Sequence, residues 1–217
     1  MINKFAFNIP IGIYLHWQLK ITMTKAEKTR NFIVEKTAPI FNMKGYAGTS
    51  LNDITAATGL TKGSIYGNFA NKDEVALAAF DYNFNSNVSK IEAEISKKDT
   101  TKEKLLAYIS IYQSFLVGGI SQGGCPILNT AIDADDTHPA LREKVLKAVL
   151  SWKKSIIKLV EDGISNEEIK VGSNPEQIAL TVIAMIEGGI MISRLTNKIE
   201  NWNLIMDSLK KYINSLG

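Results

Sequence analysis

Between Thr49 and Lys72 the chain reads TSLNDITAATGLTKGSIYGNFANK, and part of it carries side chains suited to recognition rather than bond-making. Lys62, Gly63, Ser64, Tyr66, Gly67 and Asn68 form a small, polar, basic run, and no carboxylate occurs between Asp53 and Asp73. A lysine ammonium reaches guanine edges or phosphate oxygens. Hydroxyls and amides bond phosphates, and glycines let the backbone come close to a duplex. The plainer reading is a helical hairpin with a solvated polar face, and the missing carboxylates argue against it.

The elements around this run explain how it would be presented. Thr49 or Ser50 can cap a helix, because a hydroxyl oxygen accepts an otherwise orphaned backbone N–H. Leu51, Ile54 and Ala57 then recur on one helical face. Gly59 can adopt the left-handed conformation that ends a helix and turns the chain. Leu60 is an apolar pin at the corner. Thr61 can cap a second short helix holding Ile65, Tyr66 and Phe69, and Asn71 a third that begins near Lys72. Two short helices joined by a glycine corner make a helix-turn-helix.

The run Phe41-x-x-x-Gly45-Tyr46-x-x-Thr49-Ser50-Leu51-x-Asp53-Ile54, followed by Gly59-Leu60-Thr61-Lys62-Gly63-Ser64-Ile65-Tyr66-x-x-Phe69-x-x-Lys72-Asp73-Glu74, resembles the DNA-binding signature of the tetracycline-repressor (TetR) family of bacterial regulators, from Lys25 to Ala76. The resemblance implies an all-α chain. An N-terminal three-helix DNA-binding domain precedes a larger helical ligand-binding and dimerisation domain, with about nine helices. The expected division is a leader at 1–22, the helix-turn-helix domain at 23–71 and the ligand-binding and dimerisation domain at 72–217. Two positions depart from the family pattern. Thr55 replaces an alanine at the contact between the two helices, and Asn68 replaces a histidine or tyrosine at a phosphate-contacting position.

Composition agrees with such a layout. The chain has 217 residues, is 45% apolar and carries a net charge of +3. From Lys25 to Lys72 seven basic residues face three acidic ones, a local charge of +4, so the remainder is near −1. A basic footprint on a near-neutral body suits a DNA-reading part joined to one that does not read DNA. The single cysteine, Cys125, excludes an intramolecular disulfide and agrees with a reducing cytoplasm. No run of 18 uncharged apolar residues occurs, so no membrane span is expected.

Residues 1–22 are apolar and aromatic but carry only Lys4 as an N-terminal charge and are broken by Asn8, Pro10 and Gly12, unlike a secretion signal. Met23-Thr24-Lys25 reads like a start, making the leader an upstream extension. The alternative is an amphipathic arm packing on its own dimer or on DNA. A first helix is expected over Lys25–Lys44, with Ile33, Thr37, Ile40 and Phe41 inward, Pro39 bending it and Gly45 ending it. Lys25, Lys28 and Arg30 either reach flanking phosphates or form a solvated face. A helix from Lys72 to about Ser96 links this unit to the body, and another opens at Thr101. Further helices are expected over Cys125–Ala134, from Pro139 to about Asp162 with Gly163 ending it, from Asn174, and from about Asn201 to Ser215.

Ala179 to Leu195 is apolar nearly all round and small at Gly188-Gly189, so it must be covered on every side. Pairing the last two helices, about 175–216, with those of a second copy gives a four-helix interface, a homodimer.

The inventory does not suit an enzyme. There are two histidines, His16 and His138, and no phosphate loop. A Cys125–His138 nucleophile pair is weaker than a core cysteine. Asp133, Asp135, Asp136 and His138 read better as complement to a helix start than as a metal site. No metal, cofactor or catalytic residue is expected. The expected DNA contacts are Thr49, Ser50, Thr61, Lys62, Gly63, Ser64, Tyr66, Gly67, Asn68 and Lys72, with Lys62 reading base edges and Thr49, Ser64, Tyr66 and Lys72 fixing the phosphate register. The partner is a near-palindromic operator, bound as a repressor. Tyr108, Tyr112, Phe115, Cys125, Trp152 and Met185 are candidate walls of an apolar pocket for a small-molecule inducer. The alternatives are a dimer without an inducer, and a sensor in which an exposed Cys125 reacts with electrophiles or oxidants.

Overall fold

The computed structural model describes residues 23–117, 123–134 and 136–217. The leader, Gly118-Gly119, Asp135 and the side chain of Phe115 lie outside the described residues. Nine helices, and no strand, occur among the described residues: α1 (Lys25–Lys44), α2 (Leu51–Thr58), α3 (Lys62–Tyr66), α4 (Lys72–Ile95), α5 (Thr101–Val117), α6 (Pro126–Ala134), α7 (Pro139–Ser165), α8 (Pro175–Thr196) and α9 (Ile199–Asn214).

Local chemistry accounts for most helix ends. Thr24 and Glu27 form a capping box that starts α1, with the Thr24 N–H donating to Glu27 Oε2 at 2.7 Å. Ser50 and Asp53 do the same for α2. Asn71 and Asn174 cap α4 and α8 by accepting the N–H three residues on. Pro39 sits inside α1, which continues past it to Lys44 and ends at Gly45 with φ +72°. Gly163, expected to end α7, lies within it, and Asn166 is the C-cap. The glycine serves packing instead: a Cβ there would come within 2.8 Å of Thr101, so its bareness lets the start of α5 close on α7.

The buried faces join the helices into one core. Under the helix-turn-helix, Ile33, Ile54, Ile65 and Phe69 are almost fully enclosed. Each such side chain contributes about 1.5–3 kcal/mol relative to exposure. α1 packs chiefly on α4, so α4 runs from beneath the helix-turn-helix into the body, where it meets α5, α6 and α7. α8 packs on α7 and α9. It is long and apolar enough to cross a membrane by length and composition, but Glu187 and the Trp202 and Met206 contacts at Gly189 tie its inner side to the bundle. Its outer side carries Leu180, Ala184, Gly188, Met191 and Leu195 at spacings of three and four, all wholly or partly exposed. The glycine pair is thus split between two jobs. A Cβ on Gly189 would lie 3.1 Å from Trp202 and Met206, whereas one on Gly188 would meet nothing within 4 Å.

Candidate functional site

The α2–α3 corner is held by three devices. Gly59 takes φ +68°, ψ 9°, the left-handed turn between the helices. The Thr58 hydroxyl accepts the Leu60 N–H at 3.3 Å. Thr61 caps α3 by accepting the Ser64 N–H at 3.2 Å. α3 buries Ile65 and turns Thr61, Lys62, Gly63, Tyr66 and Gly67 to solvent, with Ser64 and Asn68 half-buried. Tyr66 is 47% exposed although it is a large aromatic, an arrangement that leaves its ring and hydroxyl free for a partner.

Not every expected contact is at this surface. Thr49 is 1% exposed and its hydroxyl donates to the Gly45 carbonyl at 2.7 Å, so its side chain fastens the turn. Ser50, its exposed neighbour, is the cap. The Lys72 ammonium donates to the carbonyls of Tyr46 (2.9 Å) and Thr49 (3.0 Å) and lies 4.0 Å from the centroid of the Tyr46 ring. It clips the α1–α2 turn to the start of α4, and its charge is already engaged. Arg30 is also a strut. It donates to the Asn68 carbonyl (2.5 Å) and to Glu74 (2.6 Å), and stacks 3.9 Å from the Phe69 ring centroid. Lys25 and Lys28 stay exposed. The Asn68 amide donates to the Ser64 carbonyl at 2.9 Å, closing the end of α3.

Tyr46 joins this unit to the body, a role its sequence context alone did not reveal. Its N–H donates to Asp133 at the end of α6. Its hydroxyl donates to Asp73 in the first turn of α4. Its ring meets His138, the N-cap of α7, edge-on at 4.5 Å. The Asp73 hydrogen bond, then burial, push the phenol up to about 12. A second bridge runs through amides: Asn42 Nδ2 donates to the Gly124 carbonyl (3.1 Å), and Asn129 Nδ2 to the carbonyls of Asn42 (2.9 Å) and Gly123 (2.6 Å). α6 therefore grips the C-terminal end of α1 from both of its own ends. The Tyr46–Asp133, Asn42–Gly124 and Asn129–Asn42 pairs lie more than 80 residues apart, and no local pattern announces them.

Behind α6 the body holds a cavity of about 510 Å³ between α4, α5 and α7, open to solvent on one side and within the usual range for small-molecule sites. Tyr108, Tyr112, Cys125 and Trp152 line it. Tyr108 and Tyr112 stack on Trp152 at 6.2 and 5.3 Å between centroids. Met185, also expected in the wall, is instead half-buried against the core on α8, outside the lining. Cys125 is 1% exposed, and its thiol donates to Glu187 Oε1 at 2.9 Å. Burial, then the neighbouring Glu187, push the thiol well above its ordinary pKa. Burial raises Glu187 to about 7, its Oε2 enclosed without a partner. No group of three or more His, Cys, Asp or Glu able to hold a metal occurs among the described residues. His138 serves instead as a cap: its Nδ1 accepts the Leu141 N–H at 3.2 Å.

Comparison with known proteins fits this architecture. Residues 33–79 match the family described as bacterial regulatory proteins, tetR family, and residues 101–209 match the tetracyclin repressor-like C-terminal domain. The chain is 31% identical over 178 residues to the uncharacterized HTH-type transcriptional regulator YxaF of Bacillus subtilis (strain 168), covering 81% of this chain and 90% of that protein. It is 47% identical to a TetR-family regulator from Cytophaga hutchinsonii, whose crystal structure superposes with a TM-score of 0.87 over 89% of this chain and 97% of that one. It also shares its fold, at 14% identity, with a cysteine mutant of CifR complexed with 26bp double-strand operator DNA; the TM-score is 0.75 over 83% of this chain and 94% of that one. A bare, carboxylate-free reading helix, an enclosed apolar body and two matching family segments lead to one assignment: the chain belongs to the tetR family of bacterial transcriptional regulators, DNA-binding helix-turn-helix proteins and not enzymes.

Proposed function

We propose that this protein is a homodimeric, ligand-responsive repressor that binds a near-palindromic operator and leaves it when a small, mainly apolar molecule fills the cavity. Each protomer lays α3 in a major groove, with Lys62 at base edges. Ser50, Thr61, Ser64, Tyr66 and Asn68 and the backbone of Gly63 and Gly67 work along the phosphates. Two-fold symmetry sets the half-sites about one turn, ~34 Å, apart. Residues 23–71 form the reading domain and 72–217 the ligand-binding and dimerisation domain, working in the cytoplasm where the DNA is.

The observation that carries this reading is the exposed, acid-free face of α3 held by buried Ile65 and by the capped ends of the corner. Dimerisation through α8 and α9 is supported by the outward stripe Leu180, Ala184, Gly188, Met191 and Leu195. Leu204 on α9, 69% exposed, extends this apolar surface. The largely apolar cavity favours a regulator with an inducer over a dimer without one. The buried, proton-retaining thiol of Cys125 weighs against the reactive-cysteine alternative, because the thiolate is the nucleophile.

A gel shift on the DNA upstream of the protein's own gene tests the reading. The wild-type protein should bind at low salt. Lys62→Ala should bind more weakly by roughly tenfold or more, with a salt slope about one unit shallower if a phosphate contact is lost. No shift by the wild-type protein, or equal shifts by both, defeats the DNA assignment.

A further inference from the structure

Two polar groups in the cavity lining make no hydrogen bond to the described residues. Asn87 of α4 is 6% exposed and lines the cavity, yet its side-chain amide has no hydrogen-bond partner among the described residues. The other is the indole N–H of Trp152, enclosed without a partner, whereas Asn42, Thr37 and Thr58 are buried and bonded. An amide that faces a cavity is bonded by water or by a guest, and a guest that offers it a carbonyl or hydroxyl replaces that water without loss of the bond. The walls near it are aromatic and aliphatic, with Phe84 and Ile91 beside it on α4 and the Tyr112–Trp152 stack on α5 and α7. Among the described residues, no lysine or arginine stands on the buried part of the lining. The charged lining residues are exposed and balanced, Lys154 and Lys158 against Glu92 and Asp162. A carboxylate head, or the polyphosphate of a nucleotide conjugate, would find no net attraction at the mouth and no cation within.

Resting on the proposal that the cavity takes an inducer, we infer that Asn87 is the residue that reads it, and that the ligand is an uncharged, largely aromatic molecule whose carbonyl or hydroxyl bonds the Asn87 amide. The position also gives the contact a consequence. Asn87 lies on the helix whose first turn carries Lys72, Asp73 and Glu74, the residues that hold the α1–α2 turn and Arg30. A ligand anchored there acts on the element that sets the reading heads.

The test is calorimetric titration of the full chain with two matched pairs, 9-fluorenone against fluorene and benzophenone against diphenylmethane, with palmitate and palmitoyl-CoA as anionic comparators. In the wild-type protein each ketone should bind about tenfold tighter than its hydrocarbon, the discrimination expected of one hydrogen bond to an otherwise unpaired buried group. In Asn87→Leu, and independently in Asn87→Ala, the ratio should fall to within about twofold while the hydrocarbons keep their affinity. A ratio that survives in both variants overturns the role of Asn87. Binding of palmitate or palmitoyl-CoA in place of the aromatic probes, or no binding at all, overturns the ligand class. A gel shift with the same probes separates the two proposals. Asn87-dependent binding that leaves the operator complex intact upholds this inference and sinks the inducer reading; release by palmitate does the reverse.

Discussion

Glu187 makes the stability of this protein depend on pH in a way that can be worked out in advance. Its carboxyl is buried on α8 with one oxygen accepting the Cys125 thiol and the other enclosed without a partner, and burial lifts its pKa from 4.5 to about 7. The sign follows from linkage. Below pH 4.5 the group is protonated in both folded and unfolded chains, and its burial carries no ionisation cost. Between 4.5 and 7 the unfolded chain releases the proton while the folded chain holds it, so stability falls as pH rises. Above 7 the loss is complete. At about 1.4 kcal/mol per pH unit it amounts to about 3 kcal/mol. Glu187→Gln keeps the shape and removes the titration, at a cost of about 1 kcal/mol for an amide N–H2 enclosed in place of Oε2. At pH 8 the variant should therefore be more stable by about 2 kcal/mol, a rise in Tm of about 4–8 °C for a chain of this size. At pH 5 it should be equal or slightly less stable. The assay is thermal unfolding followed by circular dichroism at pH 5, 6, 7 and 8, at one protein concentration because any self-association shifts apparent stability. Other titrating groups act on both proteins and cancel in the difference. Parallel profiles, offset by a constant, would refute the reasoning.

Three further outcomes are expected. Gly189→Val should lower Tm, because overpacking against Trp202 and Met206 costs about 1–3 kcal/mol; Gly188→Val should leave the fold intact but weaken self-association in sedimentation experiments. Gly59→Ala meets no neighbour, so its effect is backbone strain alone at φ +68°, about 1 kcal/mol, read as a fall of a few degrees in Tm with weaker operator binding. Tyr46→Phe loses the hydroxyl bond to Asp73 and should cost about 1.5–3 kcal/mol, as expected for a bond to a charged acceptor, measured by urea unfolding.

Local chemistry made the helix-turn-helix legible. Ser50, Thr61 and Asn71 are caps because of what their own side chains can reach, and Gly59 turns because it lacks a Cβ. Spacing also separated the inward Ile54 and Ile65 from the outward Lys62. It did not say what an inward or half-turned polar group would bond. Thr49 and Lys72 were expected at phosphates, and each is engaged by carbonyls of the α1–α2 turn that only the folded corner brings near. Gly163 read as a terminator for the same reason: its bareness is explained by Thr101, far away in sequence. The apolar wall of Tyr108, Tyr112, Cys125 and Trp152 could be guessed from composition, but Asn87, Glu187 and the amide bridge through Asn42 needed the packing.

The nine residues of α6 span roughly 13 Å at 1.5 Å per residue, with the cavity at the Pro126 end and Tyr46 fastened to Asp133 at the other. Such a rod behaves as a lever: pivoting it by about 5° carries its far tip by about 1 Å. If the protein works as proposed, a guest would have only to nudge one end by a fraction of its own width for the opposite end to misalign two grips on a duplex, and modest molecules of quite different outline would throw the same switch.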